Sequence, residues 1–392
     1  MTNLLHNILG RLPIGWLQLS HNRGRMIAAI AGIAFANLLV FVQLGVMDSL
    51  GNVVNTFYAP FDADIIVSSE KAEMIASDAL ISRRLIYLTL EDASVETAAP
   101  LYLGSADWTK PDRSTAVLYA YALPVEATAF AGNVLANGFD GLRLPLRALI
   151  DSKIDGINVD AVALATPENP LEFEINGVTI GAVGTFRLGA AFNSDGILAV
   201  SDQTFFRMFE QRSARTPNHI LVKVKPGEDS DVVAARLQSR LSSEHAKVRT
   251  LSTAIADDKD YQSTEMPVGI IFTFGVVIGV MVGLVIVYQV LSTDVVAHLK
   301  EYATFKALGY PHRFFLSIIM EEALIVAVMG FVPGALLSWG AFTAMALSTG
   351  LPVAMTLQRS VLILLGTIMA CAISGALATL RVHSADPADL FA

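Results

Sequence analysis

Residues able to do chemistry are present in this chain, but they do not fall into catalytic patterns. The histidines His6, His21, His219, His245, His298, His312 and His383 form neither an HExxH pair nor a ligand set with the single cysteine, Cys371. No GxxxxGK[ST] loop occurs, so the chain binds no nucleotide by that device, and no GxSxG elbow accompanies its serines. Asp257, Asp258 and Asp260 crowd together without EF-hand spacing, and they are expected to solvate a helix start rather than hold calcium. Glu321 and Glu322 stand just before a charge-free run and are expected at a cytoplasmic membrane interface. No catalytic, cofactor or metal residue is assigned, and the chain is read as a non-enzyme.

What must be positioned is therefore mechanical. Gly275, Gly279 and Gly283 fall at spacing four on one face of an apolar run, where small residues let two helix backbones approach in lipid, either between two copies or against the first span. Directly after that run comes DVVAHLKEYATFKALGYPHR, a short segment of mixed charge that ends at Gly309 and Pro311. Its pattern predicts an amphipathic helix lying on a membrane surface, with Leu299, Tyr302 and Lys306 at helical spacing.

The elements that carry these residues follow from the distribution of charge. Mean hydropathy is +0.54, and only 16% of the 392 residues are charged, against about 25% in soluble domains. The shortfall is confined to four charge-free runs, Met26–Met47, Met266–Thr293, Ala323–Gln358 and Ser360–Leu380. Each can cross about 30 Å of hydrocarbon as a helix. Four transmembrane helices are predicted, with a large mixed α/β periplasmic domain inserted between helices 1 and 2. Arg11, Arg23 and Arg25 before the first span, and Lys300, Lys306 and Arg313 after the second, put both termini and the 294–313 loop in the cytoplasm.

The expected boundaries are an amphipathic cytoplasmic segment 1–25, a first span with its stalk 26–58, and an outer α/β domain 59–255 in two lobes. A stalk and second span 256–293 follow, then a cytoplasmic segment 294–313, a third span 314–340 and a periplasmic loop 341–358. A fourth span 359–380 and a cytoplasmic tail 381–392 complete the chain. Between the first two spans, residues 48–265 hold 19 Lys and Arg against 30 Asp and Glu, which argues against a nucleic-acid partner. With the single cysteine in the last span, that domain must hold together by packing alone. Within it, DADIIVSS is expected as a strand, Ala72–Arg84 as a helix and RLIYLTL as a strand. EFEINGVTIGAVGTF is expected as a hairpin turning at Asn176-Gly177, and Ser201 with Asp202 as a helix cap. A strand, helix and strand are expected across HILVKVK, PGEDSDVVAARLQSRL and KVRTLS.

This order of one span, a large outer domain and three clustered spans resembles the FtsX/MacB superfamily of ABC transporter permeases. EYATFKALGYPHRFF is similar to that family's coupling segment, matching E-x-A-x-x-K-A-x-G at Glu301, Ala303, Lys306, Ala307 and Gly309. More narrowly, PIGWLQLSHNRGRMIAAIAGIAFANLLVFVQLG, GLVIVYQVLSTDVVAHLKEYATFKALGY and the tail DPADLF resemble DevC-type permeases. The resemblance implies a homodimer in the cell inner membrane. Separate ATPase subunits, which would carry ATP and Mg, would dock on Leu299, Lys300, Glu301, Tyr302, Ala303, Lys306, Ala307 and Gly309. It also implies a periplasmic adaptor protein, a TolC-like outer-membrane duct reached through it, and a lipidic or glycolipid cargo whose binding residues are unassigned. Lipoprotein release, FtsX-like control of cell-wall hydrolases, and a membrane-anchored sensor that needs no ATPase stand as alternatives.

Overall fold

The computed structural model describes residues 14–21, 23–110, 113–154, 156–157, 159–188, 194–298, 304, 308–349 and 353–384. The labelled elements in chain order are α1 (Ile14–His21), α2 (Arg23–Tyr58), β1 (Ile65–Ser69), α3 (Leu85–Leu90), β2 (Val95–Thr109), β3 (Thr115–Leu123) and β4 (Arg147–Asp151). They continue with β5 (Leu171–Ile175), β6 (Val178–Phe186), β7 (Gly196–Ser201), α4 (Asp202–Met208), β8 (His219–Val224), α5 (Ser230–Leu241), β9 (Ala246–Thr250), α6 (Leu251–Thr264), α7 (Pro267–Ala297), α8 (His312–Thr349) and α9 (Leu357–Ser384). They sort into two compact units: a polar one, Ser49–Met266, and a helical one from Met1–Asp48, Pro267–Thr349 and Val353–Ala392.

In the polar unit the strands hydrogen-bond in the order β3-β7-β4-β6-β5-β2-β8-β1-β9, and β2 also pairs with β3. That second pairing closes six strands into a ring, with β2 as the shared member. Val95–Leu101 of β2 pair with β8 in the open sheet, while Tyr102–Thr109 pair with β3 in the ring. Strand alternation separates two cores. Ala116, Leu118, Ala120 and Ala122 of β3 face one, where small side chains suit a narrow interior; Tyr119, Tyr121 and Leu123 face the other, which Val53, Val54, Phe57 and Tyr58 of α2 help to fill.

Local chemistry fixes the turns. Asn176 and Gly177 both take positive φ (49° and 74°), as a two-residue hairpin with the strands' own twist requires. The Ser201 side chain caps α4 by accepting from Thr204 N–H, and Asp229 caps α5 through Asp231 N–H. Strands β8 and β9 run parallel with β1 antiparallel between them, so α5 is a crossover.

Two expected elements are overturned. Ala72–Arg84 is not a helix, because its backbone groups are taken by other partners. Ile75 gives its N–H to Asp258 and its carbonyl to His219, and the N–H groups of Ile81 and Arg83 bond Pro217 and Arg215 carbonyls. RLIYLTL is helical from Leu85 rather than extended, burying Leu85, Ile86 and Thr89 at i, i+1 and i+4. Packing against the sheet outweighs the β-propensity of this short run.

Among the described residues, four helices are long and apolar enough to cross a membrane: Arg23–Tyr58, Pro267–Ala297, Arg313–Leu347 and Leu357–Ala378. The chain is a multi-pass membrane protein. At 36 residues, α2 is about 54 Å long. The 341–358 stretch expected as a loop is helical as far as Thr349, since AFTAMALST contains neither Gly nor Pro to stop it, and α9 already starts at Leu357.

Candidate functional site

The glycine face lies where α7 meets α2. A Cβ on Gly283 would stand 3.0 Å from Ala36 Cβ, and one on Gly279 would stand 3.2 Å from Val40 Cγ2. At Gly275 it would run into the Gln43 amide. The contact is reinforced from the other side, because Gly32 of α2 leaves room for Ile286. Gly330 and Gly334 of α8 play the same part against α2, at Ile33 and at the Ala34 carbonyl. Beside this seam lies an apolar cavity of about 470 Å³, lined by Ala36, Val40, Gly279, Gly283, Gly366 and Cys371 among others. Its polar side chains are Asn37 and Thr367, and the Thr367 hydroxyl donates to Asn37 Oδ1 at 2.7 Å.

Polar joints close the helical unit at two places. In one, Arg359 Nη2 bonds Asp48, its Nη1 donates to the Ala354 carbonyl at 2.9 Å, and the guanidinium stacks over Phe342 at 5.9 Å. Gly45 is required there, since a Cβ would enter the Phe342 ring. In the other, Arg25 Nη1 donates to Asp294 Oδ1 at 3.2 Å, and His298 Nδ1 lies 3.3 Å from Asp294 Oδ2. Glu321 and Glu322 belong to this second joint. Exposure is 8% for Glu321 and 0% for Glu322, so both are buried among the helices. Helix α1 packs against α8 here; a Cβ on Gly15 would touch the Ile318 carbonyl and the Glu322 N–H. Its Leu19 enters the same core as Ala29, Val295 and Phe315.

The polar unit has a buried node of its own. Asp258 is fully buried, which overturns its expected role as a solvated helix-start residue. Its Oδ2 accepts from the Tyr58 hydroxyl and from Ile75 N–H, both at 2.7 Å, and its Oδ1 from Arg249 Nη1 at 3.2 Å. The Ile75 carbonyl accepts from His219 Nε2, and His219 Nδ1 in turn accepts from the Ser68 hydroxyl, both at 2.8 Å. Burial holds the His219 imidazole down to about pKa 4, with Arg249 adding to the effect against the Ile75 bond. The last turn of α2 is thus tied to α6 through one carboxylate.

The pairing of these residues was not read from the sequence, although a signal for some of it existed. Arg25, Asp48, Asp294, Glu322 and Arg359 each border a charge-free run, and it is these bordering charges that meet in the two joints. For Asp258 no comparable signal exists, because acidic spacing says nothing about burial. Of the expected coupling residues, Leu299, Lys300, Glu301, Tyr302, Ala303, Lys306 and Ala307 lie outside the described residues. Gly309 is described, with φ 88°, a left-handed conformation that favours glycine. Among the described residues, no group of three or more His, Cys, Asp or Glu is placed to hold a metal.

Comparison with known proteins adds the following. The crystal structure of the extracellular domain of the noncanonic ABC-type transporter YknZ from Gram-positive bacteria aligns with 11% identity and a TM-score of 0.34, over 48% of this chain and 98% of that one. The periplasmic region of MacB from Actinobacillus actinomycetemcomitans aligns with 10% identity and a TM-score of 0.32, over 51% and 92%. A domain of a putative permease protein from Porphyromonas gingivalis gives 13% and 0.29, over 50% and 89%. No curated protein matches the chain. Residues 270–387, which take in α8, α9 and most of α7, match the family model described as FtsX-like permease C-terminal.

Proposed function

We propose that this chain is the permease subunit of an ATP-driven ABC export system and acts as a force transmitter. The observation that carries the reading is the match of residues 270–387 to the FtsX-like permease C-terminal family, on a chain with four membrane-crossing helices and a large polar unit. In this reading two copies pair, and a separate ATPase docks on each cytoplasmic segment 299–309. ATP-driven closure moves the periplasmic domain through α2 and α7. An adaptor protein in the periplasm joins that domain to a TolC-like duct, and the cargo is a lipidic or glycolipid envelope molecule. Basic residues at 11, 23, 25, 300, 306 and 313 support cytoplasmic termini.

The apolar 470 Å³ cavity between α2, α7 and α9 supports a role for lipid, since its lining offers little to a hydrophilic solute. Leu299 and Tyr302 supply the apolar contact with the ATPase, Glu301 and Lys306 its orientation. The test is cross-linking of the tagged full chain in its native membrane, with identification of bound proteins and ATP hydrolysis as readouts. Wild type is expected to carry an ABC ATPase, and L299D with Y302D is expected to lose both the ATPase and the stimulated hydrolysis while inserting normally. A well-inserted wild type with no ATPase bound overturns the permease reading, and unchanged ATPase binding by the double variant overturns the docking segment alone.

A further inference from the structure

The second joint of the helical unit contains a buried carboxyl group without a hydrogen-bond donor. Glu322 is fully buried in α8, and neither of its carboxyl oxygens has a hydrogen-bond partner. The charged groups acting on it are Asp294 of α7, Arg25 of α2 and its own neighbour Glu321. Arg25 is bonded to Asp294, and His298, just after α7, lies against the far oxygen of that same carboxylate. From α1, Gly15 approaches the Glu322 N–H with backbone and no charge. Of the two facing carboxyl groups, the bonded one is therefore Asp294, and Glu322 is left without a donor.

An ionised Glu322 in this place would cost several kcal/mol, offset only in part by Arg25, which is already bonded to Asp294. Two carboxyl groups side by side relieve that cost by holding a proton between them, one donating to the other. Two carboxylates are both acceptors, so Glu322 and the neighbouring Asp294 can bond only through an added proton. A metal ion does not fit, because no three ligating groups converge among the described residues.

We propose that Asp294 and Glu322 form a proton-binding site at the junction of α1, α2, α7 and α8, with one proton shared between the two carboxyl groups. Asp294 stands in the last turn of α7, immediately before residues 299–309. Loss of the proton would put a second negative charge against Asp294 and loosen α7 from α8. If those residues dock an ATPase, as proposed above, the site also makes coupling sensitive to cytoplasmic pH; that consequence rests on the docking reading, whereas the proton site does not.

The test is infrared spectroscopy of the full-length chain in lipid nanodiscs, following the C=O stretch of protonated carboxyl groups across a pH titration, with no ATPase present. Wild type is expected to show such a band at neutral pH. E322Q should abolish it and stay folded, because a neutral amide can donate to Asp294 in the proton's place. D294N should also abolish it, because Arg25 is then free to pair with an ionised Glu322, while E321Q should leave it intact. No band in wild type, or a band that survives E322Q, overturns the site. A band lost in E322Q but kept in D294N overturns the sharing with Asp294. As a second readout, thermal stability of wild type should fall more steeply than that of E322Q as pH is raised, and parallel curves would overturn the proposal.

Discussion

His219 shows how a single side chain sets the acid limit of the polar unit. It is fully buried and neutral, donating to the Ile75 carbonyl and accepting from Ser68, with its pKa lowered to about 4 chiefly by burial. The unfolded chain takes up a proton near the ordinary pKa of about 6.5, so between there and pH 4 the unfolded state binds more protons than the folded one. The stability this histidine contributes is complete above about pH 6.5 and is lost as pH falls toward 4, an effect on the order of 3 kcal/mol. Unfolding followed by hydrogen exchange at β1 and β8 should therefore show an acid-sensitive midpoint in wild type. His219→Gln should be less stable at pH 7.5 but flatter between pH 6.5 and 4. An equally steep acid limb in the variant would mean that another group is responsible. Of this node the sequence showed only the residue types. Strand periodicity put His219 in HILVKVK, but its fate depended on Ile75, a residue in a stretch expected to be helical.

At the level of helices and strands, the recognisable features are those whose signal is local. Asn176-Gly177 needs two residues with positive φ, Ser201 needs only its own hydroxyl, and four charge-free runs need only length; each was readable before folding. Ala72–Arg84 was misjudged because partners more than a hundred residues away decide it, through Asp258, His219, Arg215 and Pro217, and Leu85–Leu90 because Leu85 and Ile86 pack into a core with Ile220, Val233 and Leu237. The glycine face lies between these cases. Spacing announced a close contact with either a second copy or the first span, and within the chain α2, the first span, faces it. The three positions should not respond alike. At Gly275 the obstructing atoms are the end of the Gln43 side chain, which can swing aside, whereas at Gly283 the obstacle is Ala36 Cβ, fixed to its own backbone. Gly275→Ala should therefore change thermal stability in detergent little, while Gly283→Leu should lower it by about 1–3 kcal/mol, the usual cost of overpacking. Equal losses at both sites would show that α2 and α7 do not meet in this register.

For the molecule as a whole, the decisive asymmetry is electrostatic. Residues 48–265 carry 19 basic against 30 acidic side chains, net −11, while the rest of the chain carries 8 against 6, net +2. Basic residues resist translocation when they lie in short segments next to a span, and those of this chain flank Met26 and follow Thr293. The acidic 48–265 stretch is too long for its charge to hold it inside. Both termini and the 294–313 segment are thus expected in the cytoplasm, with the polar unit outside. Cys371 is buried among the helices, so a Cys371→Ser background removes the native thiol from the assay. In intact cells whose outer membrane has been permeabilised, Lys110→Cys should react with a membrane-impermeant maleimide. Lys306→Cys should react only after the inner membrane is opened. The inverse pattern would place the 299–309 segment on the side without ATP, and no ATP-hydrolysing subunit could reach it there. The coupling mechanism would then fall together with the topology, whereas the proton site at Asp294 and Glu322 would stand, because it depends on burial within the helices and not on which face they present.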